Sequence, residues 1–172
     1  MMKNLNKKHI ITATFLLFAV IISIAIVHIN QNDSDYLKLA EKYVNSQIPA
    51  VQTAQNSFIE AGIQQKNGGS NQGGLVIEKA RIDNIAESAV YKGYKAFRYK
   101  ASYLPNDAGL IAEVGAWRVS YDGWLSDNRP LYLIFTDGDN PEFIGEMPCE
   151  FSPDGYSEGF YETFDLWLSE QK

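Results

Sequence analysis

Beyond residue 28 the chain contains no histidine, for its two, His9 and His28, stand at either end of one apolar run. That absence excludes Ser-His-Asp and Cys-His nucleophilic sites from the rest of the chain, along with histidine-ligated zinc or iron and the commonest neutral-pH general base. Cysteine is nearly absent too. Cys149 stands alone, so the chain can form no internal disulfide and no metal site built from several thiolates. A small buried apolar side chain is the expected role for it. Positive charge is also scarce. Lys3, Lys7 and Lys8 precede the run, so only 12 of the 15 basic residues lie beyond it against all 21 acidic ones, a net charge of −9. Such a surface repels phosphate backbones and makes nucleic acid an unsuitable partner. No cofactor is expected.

What is present begins with residues 10–29, a twenty-residue, largely apolar run flanked by those lysines and by Asp33 and Asp35. At about 1.5 Å per residue, such a helix spans about 30 Å, the thickness of a bilayer's hydrocarbon core. Ile26-Val27-His28-Ile29-Asn30 offers no small-residue cleavage site, and no cysteine follows that could take a lipid. The run reads as an uncleaved transmembrane signal anchor, with a removed signal peptide as the alternative. The lysines place tail 1–9 in the cytoplasm and residues 31–172 outside it, as one domain.

From Asp33 onward, apolar residues recur every three or four positions at Leu37, Ala40, Val44, Ile48, Val51, Ala54 and Phe58. This spacing predicts one long helix, with Ser34 or Asp35 as its N-cap, kinked near Pro49 and ending near Gln65. The glycine-rich segment 66–74 reads as a linker. Strands follow at Leu75–Ile85, whose alternation is imperfect, and at Tyr94–Leu104. In the latter, Phe97, Tyr99, Ala101 and Tyr103 form one face and Arg98, Lys100 and Ser102 the other. Val114–Tyr121 alternates with Trp117, Val119 and Tyr121 inward. Leu131–Phe135 is continuously apolar, as a central strand should be, and turns into Glu142–Met147. Phe160, Phe164, Trp167 and Leu168 at helical spacing predict a short C-terminal helix over the sheet or its edge.

The expected class is therefore α+β, with one kinked helix packed on an antiparallel sheet of about 4–5 strands. This order of elements over residues 33–147 resembles the cystatin-like group of small exported bacterial domains. The resemblance implies a fold and no site. The ending Thr163-Phe164-Asp165-Leu166-Trp167-Leu168 resembles the closing helix of certain bacterial immunity proteins.

Residues Pro130 through Gln171 hold ten acidic side chains and no Lys or Arg. Among them Asp137, Asp139, Glu142, Glu146 and Glu150 are the candidate binding residues, on turns and a late strand where solvated carboxylates can attract a basic protein. Reversing Glu142, Glu146 and Glu150 to lysine is accordingly expected to leave the fold intact. Asp137-Gly138-Asp139-Asn140 is a turn and not a calcium loop, because Pro141, Glu142 and Pro148 occupy positions where ligands or glycine are needed. An apolar groove between the long helix and the sheet, near Pro49, is the other candidate surface. Trp117, Trp124 and Tyr132 are candidates for a sugar groove serving a carboxylate-dependent hydrolase. The expected function is a non-catalytic binding or accessory module of a bacterial envelope complex with a protein partner. The alternative is an immunity-type inhibitor of a secreted toxin.

Overall fold

The computed structural model describes residues 34–61, 74–107 and 117–171. The expected cytoplasmic tail, the anchor 10–29 and glycine-rich residues 66–73 lie outside them, and no described helix is long and apolar enough to cross a membrane. The chain divides into two compact units, Met1–Tyr36 and Leu37–Lys172, and the architecture below is that of the second.

The helix is bent. Helix α1 runs over residues 34–46 and α2 over Ile48–Glu60, with Gln47 between them donating weakly to the carbonyls of Tyr43 and Val44, 3.2 Å from each. Pro49 has no N–H to offer Asn45 and its ring crowds that carbonyl, so the break falls in the turn before the proline. The stripe keeps its phase: Ala40, Val44 and Val51 are buried on either side of the bend, whereas Leu37 is exposed. The helix ends at Glu60, short of the expected Gln65, with Ala61 as C-cap.

The sheet is antiparallel and has six strands, against the 4–5 expected: β1 Ile77–Tyr91, β2 Tyr94–Pro105, β3 Trp117–Val119, β4 Leu125–Asp127, β5 Leu131–Thr136 and β6 Phe143–Pro148. Three register shifts, at Ile77/Lys79, Ile82/Asn84 and Glu87/Ala89, explain the imperfect alternation of β1, because each bulge moves the pattern to the other face. Strand β1 also continues to Tyr91, where Lys92 and Gly93, both at positive φ, make a tight hairpin turn. Tyr121, expected inward, lies beyond the end of β3 in the β3–β4 turn and is fully exposed.

Strand β2 is the spine. One edge pairs with β1 along its length. The other pairs first with β5, over Tyr94–Tyr99, and then with β4, over Ser102–Tyr103. The sheet therefore forks at Lys100 and Ala101, with the β5–β6 pair on one side and the β3–β4 hairpin on the other.

Both faces of β5 are buried. On the bent-helix side, the rings of Phe97 and Phe135 lie 5.6 Å apart, those of Phe135 and Phe143 5.5 Å, and those of Phe143 and Tyr43 of α1 4.6 Å. The opposite face is covered by helix α3, Ser157–Glu170, whose Phe160 and Phe164 pack with Ala96, Tyr132, Ile134, Met147 and Cys149. The C-terminal helix thus closes a second core. Gly145 lets it approach, since a Cβ there would stand 2.8 Å from the Trp167 ring, whose Nε1 donates to the Glu146 carbonyl at 3.0 Å.

Helix α2 is fastened to the start of β1 by amides. Asn56 bonds both the N–H and the carbonyl of Leu75, and Gln52 accepts from the Ile77 N–H at 2.9 Å. Gln55 beside them is fully buried, and neither its Oε1 nor its Nε2 has a partner among the described residues. Gln55→Met keeps the volume and removes two unpaired polar atoms. It is expected to stabilise the fold by about 1–2 kcal/mol, seen as a raised thermal midpoint; a lowered midpoint would contradict the assignment.

Candidate functional site

The fork in the sheet lies beneath the bend in the helix, and there a cleft of about 190 Å³ opens. Gln47, Ala50, Val51 and Ala54 wall it from the helix, and Tyr99 to Ala101, Tyr103, Trp117, Leu131 and Glu146 from the sheet. The end of β4 contributes Asp127, and the connection from β4 to β5 contributes Arg129. Both the bend and the fork are needed. A straight helix over an unbroken sheet would close this space with side chains.

Glu146 and the Asp127–Arg129 pair are fixed in the wall. Glu146 of β6 accepts hydrogen bonds from Tyr43 of α1, at 3.2 Å, and from Tyr99 of β2. Both fall on Oε2, and Oε1 has no hydrogen-bond partner among the described residues. Arg129 donates through Nε and Nη2 to Oδ2 of the buried Asp127, at 2.8 and 2.5 Å, and through its backbone N–H to Oδ1. The pair is locally neutral. It holds the β4–β5 connection in place, and pairing with Asp127 pushes the Arg129 guanidinium further up.

Burial and the nearby Glu146 carboxylate raise all three tyrosines. Tyr43 and Tyr99 move far above their ordinary value, and Tyr103 is pushed up to about 12. They remain hydrogen-bond donors at any physiological pH. Because the folded state holds these protons more tightly than the unfolded chain, stability is complete below the ordinary tyrosine value of 10.0 and falls as pH rises past it. Urea unfolding followed against pH is expected to show a decline starting near pH 10. The decline should be shallower in Tyr99→Phe, and an unchanged slope would contradict it.

The five candidate acids do not form one surface. Asp137, Asp139, Glu142 and Glu150 are exposed, with Asp137 3.7 Å from the Lys95 ammonium. Glu146 is separate: it is half-buried in the cleft. The reason is a bulge in β6. Ile134 pairs with Gly145 and Phe135 with Phe143, skipping Ile144, so Phe143 and Glu146 both face the bent helix despite odd and even spacing. Within the rest of the acidic block, Asp165 is engaged by Lys92 at 2.6 Å, which holds its carboxyl below the usual range and ties α3 to the β1–β2 hairpin.

The candidate sugar-groove rings are likewise dispersed. Tyr132 is buried under α3, Trp117 lines the cleft, and Trp124 carries the Arg81 guanidinium 4.0 Å over its ring. The basic and aromatic run Tyr91–Lys100 divides as strand spacing requires, with Phe97 and Tyr99 buried and Arg98 and Lys100 exposed. No cluster of three metal-capable side chains occurs among the described residues. The apolar groove expected near Pro49 does correspond to a cleft, but one edged with charge. Sequence reasoning missed Asp127 and Arg129 in its wall and Tyr43 as a donor to Glu146, and no local signal marks them. No protein-family model, curated protein or solved structure matches this chain.

Proposed function

We propose that this chain is a single-pass binding module of a bacterial envelope complex that works through the helix–sheet cleft and not by catalysis. The run 10–29 anchors it in the bilayer, N-terminus inside, and residues 31–172 stand outside, on a fold of the cystatin-like kind. One observation carries this reading. The cleft holds a carboxylate already oriented by tyrosines from two different elements, beside apolar and aromatic wall, which is the usual composition of a recognition site.

The test is site-specific photo-crosslinking in intact cells, with the photoreactive residue placed at Ala50 on the cleft wall or at Glu158 on the exposed first turn of α3. A discrete adduct from Ala50 that survives high salt is expected. An adduct from Glu158 alone, lost as salt rises, would overturn the cleft and favour an immunity-type inhibitor meeting a basic toxin with its acidic side.

A further inference from the structure

We propose, building on the cleft as the binding site, that it receives one lysine side chain of a partner polypeptide. The space suits such a guest. About 190 Å³ is well below the volume of a pocket for a drug-sized molecule and suits one extended side chain.

The chemistry of Glu146 selects the head group. Its Oε2 is occupied by the hydroxyls of Tyr43 and Tyr99, and Oε1 alone remains to meet a ligand. A guanidinium binds a carboxylate best through both oxygens, a fork that this arrangement denies it. An ammonium is a point charge and needs one. The two tyrosine bonds also hold the carboxylate in place before binding, so little side-chain freedom remains to be lost.

The walls fit the remainder of a lysine. Ala50, Val51, Ala54 and Leu131 offer apolar surface to a four-carbon stem, and Tyr99, Tyr103 and Trp117 offer rings to a cation, with Tyr103 and Trp117 6.4 Å apart. Arg129 does not oppose the guest strongly because Asp127 neutralises it within the same wall. Lys100 also lines the cleft, but it is exposed, so solvent and salt screen its charge from the guest. The surplus of nine negative charges beyond residue 29 draws a basic partner toward the site.

The experiment is titration of the purified full chain, in detergent micelles, with the peptide Ala-Ala-Lys-Ala-Ala, its arginine and norleucine counterparts, and cadaverine, followed by isothermal calorimetry. The lysine peptide is expected to bind with a dissociation constant near about 1 mM, at least about tenfold tighter than the norleucine peptide and severalfold tighter than the arginine one. Glu146→Gln should weaken the lysine peptide by about tenfold with its thermal midpoint retained, because the amide oxygen still accepts from both tyrosines. Equal binding of the three peptides, or no effect of Glu146→Gln, would overturn the lysine assignment. Cadaverine binding as tightly as the lysine peptide would replace the partner polypeptide by a free amine. A salt-resistant adduct from Ala50 without lysine preference would refute this inference and leave the cleft reading standing. Lysine preference that Glu146→Gln abolishes, without any adduct in cells, would support the lysine site in the cleft and overturn its role in an envelope complex.

Discussion

Replacing Phe160 by alanine is expected to lower the stability of the folded domain by about 3–5 kcal/mol. Its ring is fully buried where α3 meets the sheet, 5.1 Å from Tyr132 and 6.0 Å from Phe164. Leu166, on the same helix but 64% exposed, provides the control: Leu166→Ala should change stability by less than about 0.5 kcal/mol. Urea unfolding monitored by tryptophan fluorescence measures both. Equal, small effects would mean that α3 is a detachable cover, whereas the structure makes it the third layer of the fold. A loss of that size would be at least about a fifth of the stability of a typical domain, so the variant should also show a markedly lower thermal midpoint.

The second large effect separates Glu146 from the acids around it. Glu146→Lys is expected to cost about 2–4 kcal/mol, because Tyr43 and Tyr99 lose their acceptor and face an ammonium that cannot replace it. Glu142→Lys and Glu150→Lys alter exposed side chains and should each stay within about 0.5 kcal/mol of the parent. The triple reversal is therefore not a neutral probe of an acidic face, and its effect on stability should equal that of Glu146→Lys alone. Thermal melts of the three single variants and the triple variant decide this. Three equal small shifts would return Glu146 to the solvated surface.

Some of this architecture could be read directly from the chain because it rests on local periodicity. The three-to-four spacing from Ala40 to Ala54 survives the proline, so the sequence alone specifies one face for both halves of the bent helix. The alternation of Phe97, Tyr99, Ala101 and Tyr103 defines a half-buried strand, and the unbroken apolar run Leu131–Phe135 requires cover on both sides, which the bent helix and α3 supply. Phe160 and Phe164 likewise name the inner stripe of the last helix. Cys149 is buried, as its isolation suggested.

Tertiary structure alone decided what depends on register and on contacts far apart in sequence. Strand β4 is three residues long and has no period to detect; it exists because Leu125 and Ser126 find partners on β2. The bulge at Ile144 changes the side on which every later residue of β6 projects, so strand parity gave no clue that Glu146 turns inward. The carboxylate then meets Tyr99, 47 positions earlier in the chain, and Tyr43, 103 positions earlier, and no pattern in a linear sequence encodes such distances. Composition placed the charge on the molecule. The bend, the fork and one extra residue in a strand placed Glu146 inside a cleft.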